Sequence, residues 1–407
     1  MKTGVRRFAE EHKLLVGILL VSLLLRLVLL NAVPSYIFDE SYYVPAAHSI
    51  LANWTDPNPE HPPLVKLVLA GSIALGGDNP LTWRLPSVVA GLASIAFLYF
   101  IALLLSKEKR FATLCAAFLA FDPLHVLFSR AALLDIFMLA FALGGAYFIL
   151  MRKWDWAGVF FGLGIASKWP ALLPFLAVSA YLRMKKNIKA RDAARVLIAA
   201  MAVYLLVSLP FILQNPSEWS LSQISSVEKM STLPKMAQQS STAVEWLYLQ
   251  KPVWFLWSRI NETMPPEVVW FAGLLGSTAA LSLVAFGNPV FWIPGLLAVV
   301  WLALNRTKKM SDVRTFALLW FLCTYVPFLL LPRTNMFIYY MLLVLPAYAL
   351  ALSRFLTGKK YEKWYLVVLG VSVALLLPFV LGLPLPKFYF DALRPFLGDT
   401  ITINFLV

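Results

Sequence analysis

The residues best suited to chemistry stand near the start of the chain, in the segment IFDESYYVPAAHSI, where Asp39 and Glu40 are adjacent. A carboxylate acts as a general base when its surroundings tune its pKa. Acidic residues also stabilise the amino terminus of a helix, so capping alone would account for the pair. Neighbouring residues on a helix point about 100° apart, and we therefore expect only one of the two to be a base.

Two arginines lie in or beside apolar runs, where charge is expensive and therefore indicates a function. Arg26 lies in LLLRLVLL and needs a counter-ion or a phosphate, a role that Asp39 or Glu40 would fill. Arg130 stands near Asp135 in SRAALLDIF. This second pair fits either a binding site or a structural ion pair, and the sequence leaves both interpretations open.

Two further segments combine basic residues with hydrogen-bonding side chains. PEHPPLVK contains His61 and Lys66, and it fits either a rigid turn at the membrane interface or a part of the site that contains the acidic pair. RTNMFIYYMLLVLP contains Arg333, Tyr339 and Tyr340. This segment fits either a phosphate contact or the ordinary aromatic belt of a membrane protein.

Familiar cofactor motifs are missing from the sequence, which contains no G-x-x-x-x-G-K-[ST], no G-x-G-x-x-G and no H-E-x-x-H. Cys115 and Cys323 give neither a disulfide framework nor a CxxC metal signature. The four histidines are scattered. No metal site is predicted, although His61 with one of the loop carboxylates leaves a divalent metal open.

The composition is typical of a polytopic membrane protein. Of the 407 residues, 60% are hydrophobic and 14% are charged, against about 45–50% and about 25% in soluble domains. The mean hydropathy is +0.75. These values exclude a soluble enzyme, a disordered protein and a secreted disulfide scaffold. The net charge of +14 is explained by cytoplasmic loops that are rich in Lys and Arg, and not by nucleic acid.

The basic clusters set the predicted topology, with the amino terminus in the cytoplasm and the carboxyl terminus outside. Segments assigned to the cytoplasm hold 23 of the 35 basic residues and only 7 of the 21 acidic ones. Eleven transmembrane segments result. They are 14–31, 86–105, 111–121, 131–150, two within 157–182, 196–213, 289–305, 315–331, 336–353 and 364–382.

The stretch 157–182 lies between two cytoplasmic clusters, so it must cross the membrane an even number of times. It is too short for two full crossings at about 20 residues each. We expect two short helices that meet at Lys168-Trp169-Pro170, with Pro170 starting the second helix. Broken backbone at membrane depth is tolerated where it is buried or lines a cavity, so Lys168 fits an anion-binding residue or a lysine at the interface.

Two long extracytoplasmic loops, the first (32–85) and the fourth (214–288), are expected to be functional because loops of this length usually are. Residues 268–286 are apolar, but a span there would move the basic cluster 306–314 outside. We expect them to lie on the membrane surface or beneath the outer loop. The predicted divisions are an N-terminal catalytic membrane half (1–213), the loop 214–288 and a C-terminal bundle (289–407).

Taken in order, the motifs resemble the protein O-mannosyltransferase family (dolichyl-phosphate-mannose–protein mannosyltransferases, glycosyltransferase family 39), which has the GT-C fold. The resemblance runs from residue 26 to 346. It rests on the first-span arginine, FDESYYVPAA, HPPLVK (close to the family's HPPLGK), SRAALLD, ASKW, EWLYLQKPVWF, GNPVFW and FIYYMLLVLP. No MIR domain is recognisable, as in a minimal form. PKFYFDALRPFLGDTITINFLV does not match a family ending, and these departures leave the acceptor open.

The resemblance implies an all-α polytopic membrane glycosyltransferase with a polyprenyl-phosphate mannose donor and Ser/Thr hydroxyls of secretory or surface proteins as acceptors. It implies Asp39 as the catalytic base, with Glu40 beside it, and inversion by single displacement. Retention through a second carboxylate would need Asp135. Residues expected at the donor or its phosphate are Arg26, His61, Lys66, Arg130, Asp135, Lys168, Arg333, Tyr339 and Tyr340.

We therefore expect an integral protein of the cell membrane, or of the ER membrane in a eukaryote, with an extracytoplasmic active site. The alternatives are a related transferase with a lipid or glycan acceptor, a transporter and a non-catalytic scaffold. A transporter would suit the broken helices near residue 168, but we find no internal repeat in the sequence.

Overall fold

In the computed structural model, the described residues are 4–223, 240–259, 280–305, 311–330, 335–386, 388–389 and 391–392. Most of them are helical. The first eleven helices are α1 (Gly4–Glu11), α2 (Lys13–Leu27), α3 (Glu40–Asn53), α4 (Leu64–Gly76), α5 (Pro80–Ser106), α6 (Lys109–Phe121), α7 (Pro123–Phe128), α8 (Leu134–Leu150), α9 (Trp154–Ser167), α10 (Leu172–Met184) and α11 (Ala190–Gln214). Later helices are Ala243–Trp246, Pro289–Leu304, Ser311–Leu330, Leu345–Leu356, Glu362–Leu376 and Pro378–Leu381.

Every segment predicted to span the membrane overlaps at least one of these helices, and the predicted helical membrane fold is confirmed. Among the described helices, three are long and apolar enough to cross a bilayer by length and composition: Pro80–Ser106, Ala190–Gln214 and Asp312–Leu330. Four shorter helices are also apolar. The number of crossings and their orientation therefore stay predictions.

The predicted break between α9 and α10 is present. α9 ends at Ser167, and a 3₁₀ turn over Trp169–Ala171 leads into α10 at Leu172, two residues later than the predicted start at Pro170. α9 packs between α8 and α11. Gly162 makes this packing possible, because an added Cβ would lie only 2.6 Å from the backbone oxygen of Ala200. This close contact between α9 and α11 fixes the position of the carboxyl end of α9, and therefore of Lys168, which follows it.

A small antiparallel sheet was not predicted. Its strands are β1 (Val253–Arg259), β2 (Ala280–Ala285) and β3 (Pro384–Leu385), in the order β1-β2-β3. Residues 280–285 were expected on the membrane surface or beneath the outer loop. They form the buried central strand, paired with β1 of that loop, which contradicts the first alternative and agrees with the second; 260–279 lie outside the described residues. Aromatic and branched residues in VWFLWSR and ALSLVA suit a half-buried pleated surface.

The segment predicted as the tenth span also differs from a continuous helix. Residues Ile338–Leu343 form a 3₁₀ helix, and the α-helix begins only at Leu345. Pro346 explains the start, because its fixed φ suits the first turn of a helix. The tighter 3₁₀ turns place Tyr339 and Tyr340 beside the α9–α10 turn.

Candidate active site

Asp39 precedes α3, but it does not cap that helix with its side chain. The preceding Phe38 has φ 49°, in the left-handed region that non-glycine residues rarely adopt. Its ring stacks on Phe255 of β1, with centroids 4.3 Å apart. Packing against the sheet therefore holds a strained backbone in place, as is common at functional sites, and capping alone does not explain Asp39.

Asp39 is half-buried and interacts with Tyr43, Lys168 and Asp135. Burial raises the pKa of Asp39 from its ordinary 3.8 to about 6, with a further increase from Asp135, while Lys168 and the Tyr43 hydrogen bond oppose the shift. Burial also raises the pKa of Tyr43, so its phenol stays protonated and donates to the carboxylate. At neutral pH, Asp39 is thus ionised but is a better proton acceptor than an ordinary aspartate.

Lys168, at the break between α9 and α10, forms the cationic side of this cluster. Its Nζ lies 2.9 Å from each carboxylate oxygen of Asp135. The ammonium also lies 5.6 Å and 5.5 Å from the ring centroids of Tyr339 and Tyr340. The predicted alternative of an Arg130–Asp135 pair is therefore wrong, because Asp135 pairs with Lys168 instead.

Glu40 has a different environment although it is the next residue. Arg84 binds it through both ends of the guanidinium, at 3.0 Å (Nε to Oε1) and 2.9 Å (Nη2 to Oε2). The backbone N–H groups of Ala132 and Ile37 donate to the same two oxygens, at 2.9 Å and 3.0 Å. Glu40 is fully buried. Four donors surround its carboxylate, so Glu40 has the bonding of a structural anchor.

Arg84 is the important site residue that the sequence analysis missed. Beyond Glu40, it donates to three backbone carbonyls, that of Leu30 at the end of the first predicted span and those of Val33 and Ser35 in the first outer loop. Arg84 thereby fixes the backbone of the segment that precedes Asp39. The signal was present, because Arg84 lies at the start of the apolar helix α5 in NPLTWRLPS, where the rule applied to Arg26 also holds.

Arg26 does not contact the acidic pair, so the expected counter-ion from Asp39 or Glu40 is wrong. Its guanidinium is fully buried and contacts the Ser129 hydroxyl at 2.7 Å and His125 Nδ1 at 2.9 Å. It also donates to the carbonyls of Ser22 and Ala120. These neutral acceptors lie on α2, α6 and the α7 region, so Arg26 ties those helices together.

Arg130 binds the carboxyl end of α2. Its Nη1 donates to the carbonyls of Leu25, Arg26 and Val28 at 2.7–2.9 Å, and its Nη2 donates to that of Leu381 at 2.9 Å. The last carbonyls of a helix have no partner within the helix. Arg130 supplies that partner. It thereby fixes the point at which the segment between α2 and Asp39 begins.

Lys66 is also engaged within the first outer loop. It is fully buried, pairs with Asp56, and donates to the carbonyls of Asn58 and His61 at 2.6 Å and 2.8 Å. Burial lowers its pKa, and the Asp56 carboxylate opposes that change. The His61 ring packs edge-on against Tyr43 with centroids 5.9 Å apart. PEHPPLVK is therefore a rigid turn that borders the site.

The structure thus brings together a subset of the predicted residues: Asp39, Asp135, Lys168, Tyr339 and Tyr340. Arg26, Lys66 and Arg130 lie in separate, well-bonded networks, and Arg333 lies outside the described residues. Within the described part of the chain, no group of three or more His, Cys, Asp or Glu side chains is placed to hold a metal. The cluster therefore contains a carboxylate with a raised pKa, a lysine paired with a second carboxylate, and two phenols.

Part of the chain is similar in sequence to named mannosyltransferases. Residues 60–213 match the family model described as dolichyl-phosphate-mannose-protein mannosyltransferase. The chain is 30% identical to the polyprenol-phosphate-mannose–protein mannosyltransferase of Mycolicibacterium smegmatis over 33% of each chain. It is 26% identical to that of Corynebacterium glutamicum, covering 33% of this chain and 34% of the other. The chain thus matches about a third of the length of these curated relatives.

Two solved structures share the fold. The Pmt1–Pmt2 protein O-mannosyltransferase complex of S. cerevisiae, bound to the sugar donor, matches with a TM-score of 0.64 at 13% identity, over 95% of this chain and 92% of that one. ArnT from Cupriavidus metallidurans, bound to undecaprenyl phosphate, matches with a TM-score of 0.60 at 15% identity, over 90% and 64%. The GT-C membrane fold and the resemblance to the protein O-mannosyltransferase family are therefore confirmed.

Proposed function

We propose that this chain, with the GT-C fold and the likeness to protein O-mannosyltransferases established above, transfers mannose from a polyprenyl-phosphate donor to Ser/Thr hydroxyls of a protein acceptor. The observation that carries the proposal is the position of Asp39, a half-buried carboxylate with a pKa of about 6 beside the Lys168–Asp135 pair. The alternative is a related transferase with a lipid or glycan acceptor, and the acceptor assay below distinguishes the two.

In the proposed reaction, Asp39 removes the proton of the acceptor hydroxyl while that oxygen attacks the anomeric carbon of the donor sugar. The bond from that carbon to the phosphate oxygen breaks, and the lipid phosphate leaves with the electron pair. General base catalysis of this kind supplies about 10²–10⁴-fold. Because the sugar is already activated by its phosphate, the reaction needs no nucleotide site.

Lys168 is the cation placed to stabilise the leaving phosphate. Its ammonium lies over two phenol rings and is oriented by Asp135, so it is held in place before the donor binds. Preorganised charges of this kind act strongly where water is excluded. The lipid phosphate would lie beside Tyr339 and Tyr340.

Single displacement with inversion is the stereochemistry that this arrangement supports. A retaining mechanism would need a second carboxylate as nucleophile. Asp135 is the neighbouring acid, and both of its oxygens are bound to Lys168. An oxygen engaged in this way is a weaker nucleophile, which favours Asp39 as a base in one step.

The test is sugar transfer by the protein in nanodiscs, with dolichyl-phosphate-[¹⁴C]mannose and a Ser/Thr-rich peptide. We expect Asp39→Asn to lower the rate by at least about 10²-fold at equal folded yield. Asp155→Asn is the matched control, because Asp155 is an exposed acid in a surface pair with Arg195. Label in lipid or glycan but not in peptide would contradict the protein acceptor, and full activity of Asp39→Asn would contradict the base.

A further inference from the structure

A cavity of about 150 Å³ lies between the first outer loop and the carboxyl end of α11. None of the reaction steps above uses it. Two side-chain amides fasten its walls to each other, because Gln214 donates to the carbonyl of Trp54 at 3.0 Å and Gln223 to that of Pro59 at 2.7 Å. The cavity therefore belongs to a fixed part of the fold.

The cavity adjoins the Asp39 cluster along two walls. On one side, His61 lines the cavity and packs edge-on against Tyr43, the residue that hydrogen-bonds Asp39. On the other side, Trp169 follows Lys168 directly, and its Nε1 donates to the cavity residue Gln223 at 3.3 Å. The side chains of His61 and Tyr43 thus separate the cavity from Asp39, and Gln223 and Trp169 connect it to the α9–α10 turn.

Aromatic rings connect the second wall to the cavity. Trp169 packs on Tyr204 with centroids 5.0 Å apart, and Tyr204 packs on Trp219 at 6.1 Å. Trp219 lines the cavity and is half-buried. Its indole offers a supported apolar face at the end of an aromatic row that starts at the α9–α10 turn.

Beyond Trp219, the lining combines the apolar side chains of Pro59, Pro63 and Phe211 with hydrogen-bond donors and acceptors. It includes the Thr55 hydroxyl, the amides of Gln214 and Asn215, and the carboxylates of Asp56 and Glu218. Vicinal hydroxyls both donate and accept, so such a lining matches them. An apolar face beside such groups is the chemistry that recognises a pyranose, whose ring has an apolar C–H face.

The charge of the lining selects against the phosphate-bearing donor. Among the described residues that line the cavity there is no Lys or Arg, while Asp56 and Glu218 are acidic. Nearby Lys66 is buried and paired with Asp56. An anion here would face the Glu218 carboxylate, and the nearby Lys66 is already paired with Asp56, so a neutral sugar fits better than a lipid phosphate.

We infer that this cavity is an acceptor-side sugar subsite, which takes a neutral hexose already attached to the acceptor. The inference rests on the proposed transfer. A glycopeptide would place its sugar against Trp219 and present a neighbouring Ser/Thr hydroxyl past His61 to Asp39. The protein would then use an acceptor that already carries mannose better than the same peptide without it.

The binding test uses methyl α-D-mannoside titrated against the full-length protein in nanodiscs, followed by saturation-transfer NMR. Trp219→Ala should weaken binding by about tenfold, the size expected for loss of a stacked aromatic contact. Trp364→Ala is the matched control, because it removes a highly exposed indole far along the chain. Glu218→Gln, at an exposed position, should weaken binding less and is a second variant should Trp219→Ala fail to fold.

The transfer test compares a Ser/Thr peptide with the same peptide carrying one O-linked mannose. We expect the mannosyl peptide to have the lower KM in the wild type, and Trp219→Ala to remove that advantage without changing the KM of the plain peptide or of the donor. A rise in the donor KM alone would overturn the acceptor-side assignment. Equal mannoside binding by wild type and both cavity variants would overturn the subsite itself.

These outcomes separate the two proposals. Trp219-dependent mannoside binding without any sugar transfer would leave a sugar site and remove the proposed transfer. Transfer to the plain peptide without mannoside binding would leave the transferase and remove the subsite.

Discussion

Two adjacent carboxylates of this protein stand in opposite environments. Glu40 is fully buried, and its two oxygens accept from Arg84 and from two backbone N–H groups. Asp39 is half-buried, makes no capping bond, and has a pKa raised by burial to about 6. Glu40 and Arg84 hold the loop in place, and Asp39 remains able to exchange a proton.

The same contrast separates the basic residues. Arg26, Arg84 and Arg130 are buried in sets of carbonyl, hydroxyl and carboxylate acceptors that tie helices and loop together. Lys168 has one carboxylate partner and two phenol rings around it. Charge within an apolar region is therefore a first indication of a site, and the completeness of its hydrogen bonding decides whether it is structural or chemical.

The largest expected difference between the two carboxylates is their effect on the free energy of unfolding. Arg84→Ala leaves the buried Glu40 charge without its partner, which costs about 3–5 kcal/mol. Asp39→Asn should leave the thermal midpoint unchanged or raise it. The raised pKa of folded Asp39 means that its contribution to stability is fully present below 3.8 and is lost as the pH rises through about 6, so the ionised form is unfavourable at neutral pH.

Thermal unfolding in nanodiscs at pH 7, followed by circular dichroism, measures both variants. Arg195→Ala is the control, since this exposed arginine makes a surface pair with Asp155 that is worth little. Should Asp39→Asn lower the midpoint as much as Arg84→Ala does, the division into a structural and a chemical carboxylate would be wrong.

The next effect is on catalysis. Lys168→Met should lower kcat by about 10²–10³-fold, the size seen when a preorganised charge stabiliser is removed. It also leaves Asp135 without its partner, so folded yield should fall. The double variant Lys168→Met/Asp135→Asn should recover the yield but not kcat, because the buried charge is gone while the leaving phosphate still lacks its cation.

Single-turnover transfer, normalised to folded protein, distinguishes the two consequences. Lys185→Met is the control, because Lys185 pairs with Asp312 in a partly exposed contact. Recovery of kcat together with yield in the double variant would mean that Lys168 only neutralises Asp135.

Local patterns in the sequence predicted most of the apolar helices and the α9–α10 break, but not the 3₁₀ segment Ile338–Leu343. The break followed from 26 residues between two basic clusters, and Lys168 was located at its tip. Contacts between distant parts of the chain were not accessible. Arg26 bonds Ser129 across 103 residues, and Arg84 bonds Glu40 across 44.

The small sheet was missed for the same physical reason. β2 pairs with β1 and with β3, which lies about a hundred residues further along the chain, so neither apolar periodicity nor segment length identifies the partner. The sequence indicated that only one acid of the pair would be a base, but it could not say which of the two has its hydrogen bonds saturated. That depends on Arg84, whose motif looked like an ordinary start of an apolar helix.

The smallest effect concerns pH. If Asp39 is the base, its ionised form is required, and kcat/KM should fall about tenfold for each pH unit below a midpoint near 6.

Substitutions near Asp39 should shift that midpoint. Because burial is the largest cause of the raised pKa, a substitution that exposes Asp39 to water should move the midpoint down. Tyr43→Phe removes a hydrogen bond that favours the carboxylate, so it should move the midpoint up. The measurement is a pH–rate profile of kcat/KM at subsaturating peptide. A limb at the same pH in Asp39→Asn would assign it to another group, and a downward shift in Tyr43→Phe would contradict the role of the phenol.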